Sequence, residues 1–548
     1  MSFKSYLKRY SASFSFVGLV FAALLFAVSL SPSLLPRHYV VQGLLSGLST
    51  AVGYGVGVFF VWLWQYLEMP VPAAKLQTIA KRMSVVAVAV LAISFLWRAA
   101  VWQNSIRELM EMKPVETAYP FRVAAITLVS AIVLVAGSRL LGLCWGYLAE
   151  KLRKLLPRRV ANVISVIVVA TLVVFVANGV IAKAALRAAD SVFLKLDALT
   201  DEGVEQPTDP RATGSKESLV AWDSIGRRGK DFISLGPKRE EISEFLGREA
   251  KRPLRVYVGL GSSDTTEGRA KLALEELKRS GAFDRSLLVV ATPTGTGWLD
   301  PGAVDTLEYL HAGDTAIVSI QYSYLPSWMT ILVDPDRSRV AARVLFNEIY
   351  DYWKTLPEES RPKLYLHGLS LGSLGSESSI DLLTLIETPI DGALWSGPPF
   401  PSTNWAAITR DRNPESPEWL PTIHDGRIIR FTGQENSLTR ADDSWGPLRI
   451  IYLQHASDPM IFFSPSLLYQ RPDWLVGERG PDVSPYLDWY PIVTFLQVAF
   501  DLPMATSVPI GYGHNYSPEG YIQSWVEVTG LENWSDADTE RLAKQLQE

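Results

Sequence analysis

Apolar residues follow two different patterns along this chain. Up to about residue 185 they form long unbroken stretches, near 14–31, 40–67, 83–103, 121–147 and 160–182. A helix rises about 1.5 Å per residue, so roughly 20 apolar residues cross a bilayer. Each stretch is read as a transmembrane helix. From about residue 250, short β-rich runs alternate with segments of helical periodicity. Strands are expected at Arg255–Leu260, Ser286–Ala291, Thr315–Tyr322, Lys363–Leu366, Gly392–Trp395 and Leu448–Gln454. Helices are expected at Gly268–Ser280, Asp300–His311 and Arg337–Leu356, the last ended by Pro357. Such alternation builds a mostly parallel sheet with helices on both faces. Between the two regions, Asp201–Lys216 is rich in Asp, Glu, Gly, Pro and Thr and reads as a loop or linker. The expected organisation is a helical transmembrane domain over 1–185, a linker and entry segment over 186–250, and an α/β domain over 251–548.

Basic residues orient the membrane part. Lys4, Lys8 and Arg9 precede the first stretch. Lys75, Lys81 and Arg82 lie between the second and third, and Lys151, Arg153, Lys154, Arg158 and Arg159 between the fourth and fifth. The alternate loops carry Arg37 in one, and Arg107, Lys113 and Arg122 offset by Glu108, Glu111 and Glu116 in the other. The positive-inside rule places the richer loops in the cytoplasm. Five spans that start inside end outside, so the chain after about 185 is expected on the periplasmic or extracellular side. The first stretch also has the basic start and apolar core of a signal peptide. It is read as an uncleaved anchor, because no small-x-small site leads from it into a soluble region. Trp62, Trp64, Trp97, Trp102 and Trp145 lie near stretch ends, as interfacial aromatics do. Arg139, inside the fourth stretch, is read as snorkelling or paired with another helix.

Composition narrows the function. Mean hydropathy is +0.12, high for a soluble enzyme. A net charge of −5 gives no electrostatic case for nucleic acid. The single cysteine, Cys144, rules out an intrachain disulfide framework and a cysteine metal site. There is no H-E-x-x-H. Gly259-Leu260-Gly261-Ser262-Ser263 lacks the later glycine of a dinucleotide loop and the lysine of a P-loop. No metal and no cofactor is expected.

The chemistry concentrates on Gly368-Leu369-Ser370-Leu371-Gly372, which follows the apolar run Leu364-Tyr365-Leu366 and precedes a helix-compatible segment. That is the setting of a nucleophile elbow, in which the serine sits in a strained strand-to-helix turn. A serine needs a base and an orienting acid to become nucleophilic. Six histidines are present. His38 lies in the membrane part, His311 on a helix, His367 three residues before Ser370, His424 in a polar insertion and His455 at a strand end. His514, in Gly511-Tyr512-Gly513-His514-Asn515-Tyr516, is on a late glycine-rich loop, where the base of this kind of sheet enzyme is placed. Asp458 lies just past a strand, with Pro459 next, and is preferred as the acid over Asp442, Asp443 and Asp482. The order Ser370, Asp458, His514 is that of the α/β-hydrolase fold. The oxyanion hole needs the amide of Leu371 and a second amide from Thr292–Trp298, for which Thr294 and Gly295 are the candidates.

The phrases Thr292-Pro293-Thr294-Gly295-Thr296-Gly297-Trp298, Gln321-Tyr322-Ser323-Tyr324-Leu325-Pro326-Ser327, Gly368–Ser373, Trp395-Ser396-Gly397-Pro398-Pro399, Gln454–Pro459 and Gly511–His514 together resemble a bacterial family of membrane-anchored α/β-hydrolase proteins. The resemblance covers nearly the whole chain. It implies an α/β-hydrolase domain with cap insertions behind a multi-span membrane domain, in a bacterial cytoplasmic membrane. It brings no substrate with it.

Two segments, Pro398–Trp445 and Met460–Ala505, are long enough to cap the site. Trp298, Tyr324 and Trp328 lie on loops expected to open near the elbow and are read as substrate-binding. Apolar loops around a serine held near a bilayer suit a lipid or acyl ester. Hydrolysis of such an ester at the outer membrane face is the leading expectation. Transfer of the acyl group to a glycan or other alcohol is the alternative. A non-enzymatic receptor or transport component is the third reading.

Overall fold

A computed structural model describes residues 14–71, 73–175, 192–381, 387–440 and 444–547. The chain divides into two compact units. One comprises Met1–Leu186 with Phe463–Leu475 and Pro481–Met504. The other comprises Arg187–Phe462, Val476–Gly480 and Ala505–Glu548.

The helical unit contains α1 (Phe16–Ser29), α2 (Tyr39–Tyr66), α3 (Ala74–Leu109), α4 (Pro120–Leu152) and α5 (Arg158–Val174). Helices α2, α3 and α4, of 28, 36 and 33 residues, are long and apolar enough to cross a membrane. Among the described residues α1 has 14 and α5 has 17, each short of the roughly 20 that a span takes. The first helix stops early because Ser31-Pro32-Ser33 cannot continue it. Residues 176–182 of the fifth expected stretch lie outside the described residues. Outward faces are strongly apolar, with Trp97 85% and Phe121 89% exposed. Trp102 departs from the interfacial expectation. It is buried with Leu30 and Val123 and meets Phe95 edge-on at 4.9 Å, so it joins helices. Arg139 is paired: its guanidinium lies 4.0 Å over the Phe14 ring, and its Nη2 donates to the Tyr54 hydroxyl at 3.4 Å.

The second unit is built on seven parallel strands in the order β1-β3-β2-β4-β5-β7-β6. They are β1 (Leu254–Val258), β2 (Leu287–Thr292), β3 (Thr315–Ile320), β4 (Lys363–Leu369), β5 (Gly392–Ser396), β6 (Ile429–Thr432) and β7 (Arg449–Leu453). Every residue of β2, β3 and β5 is buried, as a sheet covered on both faces requires. Helices α6 (Thr266–Ser280), α7 (Pro301–Leu310), α8 (Asp336–Trp353) and α9 (Leu371–Glu377) follow β1, β2, β3 and β4. Asp300 caps α7 by accepting the Gly302 amide at 2.9 Å, with Pro301 in the first turn, and so fixes the end of the loop after β2. Two features differ from the sequence pattern. Strand β6 lies inside the expected first cap segment. Residues 463–475 and 481–504 of the expected second cap group with the helical unit, where they form α10 (Val493–Asp501).

Helix α9 ends on a buried acid. Glu377 Oε2 accepts the Tyr452 hydroxyl of β7 at 2.9 Å and the Trp405 amide at 3.2 Å. Burial pushes this carboxyl up to about 7 from an ordinary value of 4.5. Below 4.5 both folded and unfolded chains hold the proton. Between 4.5 and about 7 only the folded chain does, so this contribution to stability is lost as pH rises through 7. Chemical denaturation from about pH 5 to 8 is expected to cost the wild type roughly 2–3 kcal/mol at this site. In Glu377→Gln that slope should flatten, and equal slopes in both proteins would refute the assignment.

Candidate active site

The elbow is set by steric closeness. Ser370 follows β4 directly and has φ 59°, a left-handed conformation that costs a side-chain-bearing residue energy. A Cβ at Gly368 would lie 2.3 Å from the Gly372 carbonyl, and one at Gly372 would lie 2.1 Å from the Thr292 oxygen. No other residue type fits either position. The Ser370 amide donates to the Ser396 carbonyl at 3.0 Å, tying the turn to the end of β5. Among the described residues the buried Ser370 Oγ has no hydrogen-bond partner.

The acid and the histidine come from two loops zipped together. After β7, the Gln454–Asp458 run meets Gly511–Tyr516. His455 Nδ1 bonds the Gly513 carbonyl at 2.9 Å, and the Gly513 amide donates to Ser457 Oγ at 2.9 Å. Between these contacts His514 Nδ1 bonds Asp458 Oδ2 at 2.6 Å. The same oxygen accepts the Tyr516 hydroxyl at 2.7 Å, and Oδ1 accepts the Met460 amide at 2.8 Å. Asp458 is wholly buried, and these donors stand in for water around its charge. Burial and the adjacent carboxylate raise the Tyr516 phenol well above its ordinary value, so it remains a donor.

The outer nitrogen of His514 is buried with no partner among the described residues. The ring packs on Gly397, where a Cβ would lie 2.5 Å from His514 Cε1. Gly397 follows Ser396, whose carbonyl holds the Ser370 amide. The histidine ring and the serine turn therefore converge on the end of β5. The other histidines are differently occupied. His367 bonds the Leu394 carbonyl at 2.9 Å and His311 bonds Thr529 at 3.0 Å, and burial lowers each to about 4. His38 caps α2, His424 sits in a turn, and His455 stacks on Tyr516 at 4.4 Å.

Leu371 opens α9, so its amide has no acceptor within the helix. Thr294 and Gly295 depart from the expectation. The Thr294 amide donates to the Trp298 carbonyl at 2.9 Å and the Gly295 amide to Ser327 Oγ at 3.0 Å. Both are spent in closing the loop. The Gly297 amide is also taken, by the Thr294 carbonyl at 2.9 Å. Of residues 294–297, Thr296 alone has an amide with no acceptor among the described residues. This loop meets the one after β3 through Tyr322, whose hydroxyl donates to the Pro293 carbonyl at 3.0 Å. Half-buried Trp298 and Tyr324 lie on these two loops, and exposed Trp328 on the short helix Ser327–Val333. Tyr516, Ser457 and Gly397 escaped sequence reasoning. Only Tyr516 carried a signal, a phenol two residues from His514 that would need an acceptor once buried.

A family model described as alpha/beta-hydrolase family matches residues 254–542, and one described as alpha/beta-hydrolase family N-terminus matches residues 30–237. Comparison with curated proteins and with solved structures gave no match. The family match spans more than half of the chain and contains the elbow, the acid loop and the histidine loop; this chain belongs to the alpha/beta-hydrolase family.

Proposed function

We propose that this protein is a membrane-anchored serine hydrolase that cleaves a lipid or acyl ester at the outer face of the cytoplasmic membrane. One observation carries the reading. A serine on a strained elbow and a histidine bonded at 2.6 Å to a buried aspartate converge on one strand end, each with a reactive atom that has no hydrogen-bond partner among the described residues.

In this mechanism His514 Nε2 takes the Ser370 proton as Oγ attacks the ester carbonyl. Asp458 holds the ring with Nδ1 protonated and stabilises the imidazolium that forms. The amides of Leu371 and Thr296 face the developing oxyanion. Collapse expels the alcohol, which leaves with the proton from Nε2. Water activated by the same nitrogen then releases the acid from the acyl-serine. An alcohol in place of that water would make the reaction an acyl transfer.

Two observations support the location. By the positive-inside rule the basic residues favour a cytoplasmic N-terminus, α2–α3 loop and α4–α5 loop. That orientation would put the α1–α2 loop and the end of α3 outside. Residues of the C-terminal half bond to both: Gln497 donates to the Ser31 carbonyl at 2.9 Å, and Ser484 meets Ser105 at 2.7 Å. These bonds support an outer position for residues 481–504, which group with the helical unit. Aromatic Trp298, Tyr324 and Trp328 suit an acyl chain.

A fluorophosphonate probe should label the wild type and leave Ser370→Ala and His514→Ala unlabelled. Ester turnover should fall by at least about a thousandfold in either variant. A folded wild type that resists the probe would sink the enzyme reading. Adding alcohol acceptors to an ester assay separates the two reactions, since hydrolysis predicts free acid as the product throughout. Tyr516→Phe removes one donor to a buried carboxylate, worth roughly 1.5–3 kcal/mol. Its kcat should fall about tenfold to a hundredfold while KM stays within about twofold. An unchanged kcat would remove Tyr516 from the site.

A further inference from the structure

The chain between Asp458 and His514 leaves the hydrolase unit and comes back. It departs directly from the acid: the amides of Ile461 and Phe462 donate to the Asp458 carbonyl at 3.3 and 3.2 Å. Phe463 already belongs to the helical unit, and apart from Val476–Gly480 the chain stays there until Met504. On return, the Ala505 carbonyl accepts the His514 amide at 2.9 Å. One end of the excursion is thus bonded to the acid's backbone and the other to the histidine's.

Its middle is held by membrane helices. Asp501, at the end of α10, faces Arg37 of the α1–α2 loop, with Oδ1 3.7 Å from Nε and both side chains wholly buried. Asp501 Oδ2 also accepts the Ser33 hydroxyl and, at 3.4 Å, the Leu35 amide. The Arg37 amide donates to Gln103 Oε1 of α3 at 2.8 Å, and its Nη2 donates to the Ser31 carbonyl at 3.2 Å. Gln497 and Ser484 add their bonds to Ser31 and Ser105. A buried ion pair holds only while both members are present, because loss of one strands the other's charge out of water. Apolar packing alone would attach α10 without that condition.

We propose that Arg37 and Asp501 form a latch through which the membrane helices hold residues 463–504 and, by the two ends of that segment, keep Asp458 and His514 in working register. This rests on the serine hydrolase reading. Arg37 is then a positioning residue, and the membrane domain is part of the catalytic apparatus as well as its anchor.

The test uses the full chain in a Cys144→Ala background with Ser105→Cys and Ser484→Cys, whose hydroxyls lie 2.7 Å apart in the native protein. Oxidation locks the segment in place, so Arg37→Met and Asp501→Asn are each prepared with it seated. Reductant then opens the lock on folded protein. Reduction should slow probe labelling of Ser370 by about tenfold or more in either variant, as displaced catalytic groups do. It should also shift the pH profile of labelling and expose residues 463–504 to protease, and reoxidation should reverse all three. The parent with Arg37 and Asp501 intact should label equally in both states. Reduced variants that label at the parent's rate and pH profile would overturn the latch, even if the segment becomes cleavable. A parent unlabelled in either state would overturn the hydrolase reading instead, while protease sensitivity would still report whether Arg37 and Asp501 hold the segment.

Discussion

Everything at the candidate site depends on a steric constraint, the collision-free passage from β4 into α9. Ser370 takes a left-handed backbone that its side chain disfavours. The strain persists because the glycines on either side let α9 and the loop after β2 approach within distances that no Cβ would permit. The bond from the Ser370 amide to the end of β5 holds the turn from the other side. With the serine so placed, the surrounding strand ends carry the histidine and the loops that gather around it. The parallel sheet does this because its strands all end on one edge, where loops from β2, β4, β5 and β7 meet.

The electrostatics are arranged around a second fixed point. Asp458 has no solvent exposure, and three donors from three residues enclose its carboxyl group. Two of those donors, His514 and Tyr516, come from one loop, so the contacts that neutralise the carboxylate also orient the imidazole. The flanking bonds of His455 and Ser457 to Gly513 fix the register between the loops. A one-residue slip would separate Asp458 from His514 without changing the sequence.

Local chemistry was legible in the sequence because it is local. The elbow needs glycines at set spacing, and strands buried on both faces read as continuous apolar runs, so β2 through β5 fell within a few residues of expectation. Ser370, Asp458 and His514 were chosen from chain order and loop context, and the fold bonds the last two at 2.6 Å. What escaped was non-local or weakly patterned. Strand β6 has only Ile429-Arg430-Phe431-Thr432 at a sheet edge, too short and too mixed to stand out from the polar insertion around it. Trp102 looked interfacial because its burial is decided by Leu30 and Val123, far away in the chain. The amides of Thr294 and Gly295 looked open because their acceptors, the Trp298 carbonyl across the turn and the Ser327 hydroxyl on the segment after β3, are set by a fold that the loop residues alone do not fix. The apolar residues of Val493–Asp501 gave the same signal whether they cover a site or pack on helices.

The grouping of residues 481–504 with the helical unit bears on how this protein is made. Arg37 and Asp501 are 464 positions apart, taking 37 from 501. At about 5–20 residues per second, a ribosome needs roughly half a minute or more to supply the second after the first. Throughout that interval Arg37 and Ser33 lack the carboxyl group they meet in the finished protein. The helical unit is therefore finished late, by a piece of chain made after all seven strands of the hydrolase sheet have been synthesised. Assembly of the two halves is interlocked in time, and a chain truncated before residue 481 would leave that arginine permanently without its counter-ion.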